Sequence, residues 1–137
     1  MDDAYSVKVT ALESGEETPE QLQALKAGDC FLVADGWGDL GRGAEGLFDN
    51  DTRTLSRFVL RVGQARPSRL SSGVSQDNVF FTCHATNRPL PPMGGKSAPA
   101  GVLHLERRRF LWERRMFERI RISNHGVEAV LLPMSFD

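Results

Sequence analysis

The sequence predicts an all-β protein: an antiparallel β-sandwich of two packed sheets, with at most one short helix. Three observations carry this. Apolar and polar residues alternate with period two in stretch after stretch, as strands lying half-buried in a sheet require. Turn-forming Gly, Pro, Asn and Asp recur at short intervals between those stretches. Only one segment, a weak one, reads as helical.

Taken in order, "YSVKVTA" places Tyr5, Val7, Val9 and Ala11 on one face of a strand. A helical turn is expected from Pro19 to Leu25, ended by Gly28. "CFLVAD", from Cys30, reads as a short buried strand. "GWGDLGRGAEG" reads as a loop, because Gly36, Gly38, Gly41, Gly43 and Gly46 disfavour both helix and packed strand. "DNDTR" is a turn leading into "LSRFVLRVG". There Phe58, Leu60 and Val62 face away from Arg57, Val59 and Arg61. Gly63-Gln64 turns the chain into "ARPSRL" as a hairpin. "NVFFTCHAT" is a further strand, and "NRPLPPMGGKSAPAG" reads as a long irregular loop because of its prolines and glycines. "GVLHLERRRFL" and "ERRMFERIRIS" follow as strands; in the second, Met116, Glu118, Ile120 and Ile122 oppose Arg115, Phe117, Arg119 and Arg121. "NHG" turns, and "VEAVLLPMSF" returns as the last strand.

The chain has 137 residues, a net charge of -1 and 40% hydrophobic residues, which together suit one domain, 1–137, with a packed core. Balanced charge gives no general attraction to nucleic acid or membrane. The distribution is uneven: the first twenty residues are acidic, and Arg107 to Arg121 is rich in arginine. Glu106, Glu113 and Glu118 interleave with those arginines, so cross-strand ion pairs are expected ahead of phosphate binding. Cys30 and Cys83 lie in apolar runs and read as buried thiols of a reduced, cytoplasmic protein, with a single disulfide left open. No apolar run is long enough to span a membrane, and the N-terminus does not resemble a signal peptide.

The acids of "GLFDNDTRTLSRF" invite a chemical reading. As a calcium loop starting at Asp49 it fails: Thr54 stands where the bend needs glycine, and Leu60 where a glutamate is needed. An Asp-x-Asp-x-Thr phosphotransferase pattern fails by one position. Two carboxylates in one turn are poorly placed to straddle a glycosidic bond. Asp51 is expected to hold the turn, by backbone N–H groups or by Arg53. Trp37 is read either as a surface for a sugar ring or as a cover over the core. His84, His104 and His125 are far apart in sequence and read as ordinary strand and turn residues; no metal and no cofactor are expected.

Several of these elements, in order, resemble the N-terminal domain of bacterial and archaeal glycogen debranching enzymes of the amylo-α-1,6-glucosidase type. They are "GDCFLV" and "GDL", then "GLF…DTR.LSR..L.V", then Thr86-Asn87, "LHLERRRFL" and "FERIRISNHG", from about Leu25 to the C-terminus. Asn50 and His125 depart from the residues common in that pattern. The resemblance implies a β-sandwich preceding a larger catalytic toroid of paired helices that hydrolyses α-1,6 branch points. The catalytic acid and base would belong to that toroid, which this chain lacks, so the chain alone is expected to be inactive. Its expected partners are the catalytic domain and α-glucan. Asp51, Arg53 and Trp37 are the nominated sugar contacts. Arg107, Arg109 and Arg119 are expected at the interdomain face or in cross-strand pairs. The alternative is a stand-alone binding module or homodimer built on the arginine strands.

Overall fold

The computed structural model describes residues 21–93 and 96–137. The strands are β1 (Gln23–Ala27), β2 (Cys30–Ala34), β3 (Gly46–Asp49), β4 (Thr52–Leu55), β5 (Leu60–Val62), β6 (Ser68–Val74), β7 (Phe80–Thr86), β8 (Leu90–Met93), β9 (Lys96–Ala98), β10 (Leu103–Trp112), β11 (Arg115–Asn124) and β12 (Met134–Phe136). One four-stranded sheet runs β1-β2-β3-β4 and the other β11-β10-β7-β6. Both are antiparallel, and β1 lies across β6, β7 and β10 of the second sheet. The predicted all-β sandwich is the observed one.

Alternation dictates which side chains meet between the sheets. Along β7, Phe81, Cys83 and Ala85 point inward; along β2, Cys30, Leu32 and Ala34 do so. One apolar cluster gathers Leu25, Cys30, Leu32, Leu40, Phe81, Cys83 and Leu111, and a second gathers Leu60, Val62, Ala85, Leu90, Leu103 and Leu105. Both cysteines are buried and unbridged. Burial pushes the Cys83 thiol up to about 11, against a smaller opposing pull from Arg107 and Arg69.

Several expectations need correction. The helical turn predicted for Pro19 to Leu25 is replaced, in its described part, by strand: Leu25 sits in β1 opposite Leu32, and Gly28, with φ 61°, turns the chain into β2. Cross-strand burial of Leu25 outweighs the weak local helical preference. Gly46 belongs to β3 rather than to the glycine loop. A Cβ there would stand 3.0 Å from the Leu55 carbonyl, so the close approach of β4 calls for glycine. The strand read as "LSRFVLRVG" is split between β4 and β5, with Phe58 bridging Leu40 between them. The turn at Gly63-Gln64 forms, closed by a bond from Val62 N to Ala65 O of 2.8 Å. The hairpin stops there, because β5 pairs with β12 and β6 with β7.

Two further corrections concern the C-terminal half. The irregular loop contains the short hairpin β8–β9, held at Leu90–Ala98 and Met93–Lys96. An isolated two-stranded ladder tolerates proline where a central strand would not. Of "VEAVLLPMSF" only Met134–Phe136 forms a strand, and it pairs with β5 rather than returning along β11. The strand predicted at Tyr5–Ala11 lies outside the described residues.

Candidate functional site

The inward positions of β10 run Leu103, Leu105, Arg107, Arg109, Leu111, so two guanidinium groups interrupt an otherwise apolar row. Each would be costly to bury alone. Glu118, inward between Met116 and Ile120 on β11, offsets that cost. It accepts from Arg107 Nε at 3.2 Å and from Arg109 Nη2 at 2.8 Å. Asp39 accepts from Arg107 Nη1 at 2.7 Å and from Leu60 N at 3.1 Å. Asp35 pairs with Arg66, whose Nε also lies 3.1 Å from Asp39. The cluster thus balances Asp35, Asp39 and Glu118 against Arg66, Arg107 and Arg109. Burial opposes the charge on Arg107, but Glu118 and Asp39 outweigh it and its pKa is raised. Arg109 has 0% exposure, and burial prevails there, lowering its pKa despite Glu118.

The glycine loop delivers Asp35 and Asp39 to this cluster. Asp35 Oδ1 accepts from the N–H groups of Trp37 and Asp39, both at 2.9 Å, folding the loop about its own carboxylate. Gly38 has φ 87°, and a Cβ there would meet the Phe81 ring at 2.7 Å. Glu45 Oε1 closes the far side through Gly41 N at 3.1 Å and Arg42 N at 2.8 Å.

Trp37, nominated as a sugar contact, sits in this loop. Its indole N–H donates to Pro67 O at 2.9 Å, and the guanidinium groups of Arg66 and Arg69 lie over its ring at 3.9 and 4.8 Å. Asp51 is exposed at the tip of β3–β4, where Asn50 and Asp51 have φ 48° and 62° and form a two-residue hairpin turn. Arg53 donates to Gly43 O at 2.9 Å and lies over the Phe48 ring at 5.2 Å. It is therefore turned toward the glycine loop. The acid of this stretch that pairs with an arginine is Asp49, which takes Arg114 Nε at 2.8 Å. The structure brings Arg53 to the glycine loop but gives Trp37 a separate set of partners. Arg107 and Arg109 lie between the sheets, and Arg119 lies outward with Glu106 at 3.6 Å.

The outward face of β6-β7-β10-β11 gathers rings that lie far apart in the sequence. Phe80, Phe110, Phe117 and Trp112 form a continuous aromatic strip, with successive centroid separations of 6.0, 5.1 and 6.5 Å. Arg108 lies over Phe80 at 4.5 Å. His84 and His104 meet on this face with Nδ1 and Nε2 3.2 Å apart, and the His125 ring lies 6.3 Å from that of His104. Cross-strand register unites Phe80 with Phe110 and His84 with His104, which sequence spacing does not reveal. Among the described residues no group of three or more His, Cys, Asp or Glu is placed to hold a metal ion. No described helix is long and apolar enough to cross a membrane.

The alternation of β10 and β11 already held a signal for the buried pairs: Glu118 shares its face with Met116 and Ile120. Asp35, Asp39 and Arg66 gave no such signal, since they lie in loops whose path sequence does not fix. Asn87 is fully buried; it accepts from Leu103 N at 2.9 Å and donates to Pro99 O at 3.0 Å, tying the β8–β9 excursion to β10.

No curated protein sequence matches this chain. The sequence model described as the N-terminal domain of (some) glycogen debranching enzymes matches residues 25–137. That span covers both sheets except the first two residues of β1, with every residue of the buried charge cluster, and the chain belongs to this family of glycogen debranching enzyme N-terminal domains.

Proposed function

We propose that this domain is a non-catalytic accessory domain of a glycogen-debranching-type α-1,6-glucosidase, packing on the catalytic domain and contributing to glucan binding. The observation that carries the reading is the outward aromatic strip Phe80-Phe110-Phe117, flanked by Arg108 and Arg119. Planar apolar surface bordered by arginine is the composition of interface cores and their edges. The inward arginines are spent on Glu118 and Asp39 and support the sheet from behind; Arg119 stands on the docking face itself. The domain acts in the cytoplasm, in keeping with its two unbridged cysteines.

The docking role is tested by mixing the chain with a separately produced catalytic domain of a glycogen debranching enzyme and following co-elution. Phe117→Glu should abolish co-elution while the chain stays folded, the lost stack on Phe110 costing about 0.5–1.5 kcal/mol. Self-association of the chain through the same face, with no pairing to the catalytic domain, would instead establish a dimerisation module. The chain alone should release no glucose from limit dextrin; turnover above a mock preparation would overturn the non-catalytic reading.

A further inference from the structure

At one end of the sandwich the β1–β2, β3–β4 and β10–β11 turns converge on a surface cleft of about 510 Å³, whose lining includes Asp29, Asp49, Trp112, Glu113 and Arg114. Trp112 is 58% exposed, more than any described phenylalanine. Arg114 is 71% exposed, yet its guanidinium is oriented by Asp49 through Nε at 2.8 Å. A guanidinium has five N–H donors, so a pairing through Nε and one Nη leaves others directed outward. Glu113 and Arg114 have φ 48° and 63°, a turn that ordinarily selects Asn-Gly. The sequence therefore accepts backbone strain at the point where it presents these two side chains.

The chemistry of the cleft narrows its ligand. Asp29, Asp49 and Glu113 outnumber Arg114, which disfavours phosphates and nucleic acid. An uncharged polyhydroxylated ring suits the combination. Its C–H face stacks on an indole, and its hydroxyls both donate to carboxylates and accept from a guanidinium. We propose that this cleft is an α-glucan subsite in which Trp112 stacks on a glucose ring while Arg114 and Asp29 bond its hydroxyls. The proposal rests on reading the chain as an accessory domain of a glucan-acting enzyme, and it places the sugar contact at Trp112 and Arg114 in addition to the residues nominated from sequence. Trp37 is less suited, because Arg66 and Arg69 already lie over its ring.

Trp37 and Trp112 are the only tryptophans, so intrinsic emission reports on few positions. The 137-residue chain is titrated with maltoheptaose, and with cellohexaose as the β-linked control. Maltoheptaose should give a saturable change in emission, confirmed by calorimetry, and cellohexaose none. Trp112→Ala should weaken binding at least about tenfold and Arg114→Lys about threefold, with the melting temperature unchanged in both. Undiminished calorimetric binding by Trp112→Ala would overturn this site while leaving glucan binding intact; loss in Asp51→Ala or Arg53→Ala instead would locate it on the neighbouring hairpin. Equal binding of cellohexaose would overturn the α-glucan class. Absence of any binding by the wild-type chain would overturn the site and the glucan part of the proposed function together. The docking role, read by co-elution, would then stand or fall separately.

Discussion

Replacing Glu118 by Gln isolates the energetic role of the buried charges. Glu118 Oε1 accepts from Arg107 Nε at 3.2 Å, Arg109 Nε at 3.1 Å and Arg109 Nη2 at 2.8 Å, while Oε2 accepts from Arg107 Nη2 at 3.3 Å. Gln keeps the shape but offers one acceptor oxygen, and its NH₂ meets the donors of a guanidinium. The cluster goes from three charges of each sign to an excess of one positive charge between the sheets. Breaking a buried pair in this way costs about 3–5 kcal/mol. A domain of this size has roughly 5–15 kcal/mol in total. The melting temperature should therefore fall by roughly 10–20 °C, and the urea midpoint should drop with the slope unchanged.

Removing Glu118 and Arg109 together, as Arg109→Leu with Glu118→Leu, restores the balance, because Asp35 and Asp39 then face Arg66 and Arg107. That double variant should be more stable than Glu118→Gln, since replacing a whole buried pair by apolar groups is often neutral. Arg119→Ala, which breaks an exposed pair with Glu106, should change stability by less than about 0.5 kcal/mol. A loss below about 1 kcal/mol in Glu118→Gln would refute the reasoning, because it would mean that water screens the cluster.

Four further outcomes are expected. Burial raises the Cys83 pKa from 9.0 to about 11, so the folded state holds its proton more tightly; the stability this confers is full below pH 9 and is lost as pH rises toward 11. That loss amounts to about 2 kcal/mol in urea unfolding measured across this range, and Cys83→Ala should flatten it. Both thiols should resist an aromatic disulfide reagent in the native state and react on unfolding. Asn87→Ala removes the acceptor of Leu103 N and the donor to Pro99 O, and should cost about 2–4 kcal/mol by thermal melting. Glu113→Asn should raise stability by about 0.5–1 kcal/mol, because asparagine tolerates the left-handed backbone better.

Alternation made the long strands legible. In β11 the ten-residue run fixed the period and set Glu118 on one face with Met116, Ile120 and Ile122; which face turns inward is decided by the packing of the sheets, and Ile122 near its end is exposed. Short segments were legible only where a turn marked them. Leu25 reads as helical because its local pattern is ambiguous over so few residues, and its strand partner Leu32 decides the matter only in three dimensions. The prolines at 91 and 92 argued against a strand, and only the two-stranded edge character of β8–β9 admits them. The pairing of β12 with β5 joins residues more than seventy positions apart, and no local signal specifies it. The same limit hid the meeting of His84 with His104 and the approach of Arg114 to Asp49.

The elements that made the family recognisable meet inside the protein. Asp39 of "GDL", Arg107 and Arg109 of "LHLERRRFL" and Glu118 of "FERIRIS" form one buried ionic cluster. Asn87 of the Thr86-Asn87 element ties the β8–β9 excursion to β10. A buried ion pair specifies geometry more strongly than it stabilises, because a wrong arrangement leaves a charge without a partner. Asp39, Arg107, Arg109 and Glu118 therefore report on how the two sheets and the glycine loop lock together. Recognition by such residues identifies the architecture and leaves the choice of ligand to the surface. There Trp112, Phe117 and Arg114 stand on the face and turn that the buried cluster holds rigid. Charge-unbalancing substitutions in the cluster should accordingly lower stability and binding together, whereas substitutions at Trp112 or Phe117 should separate them. That division gives an observable meaning to the distinction between residues that define this domain and residues through which it acts.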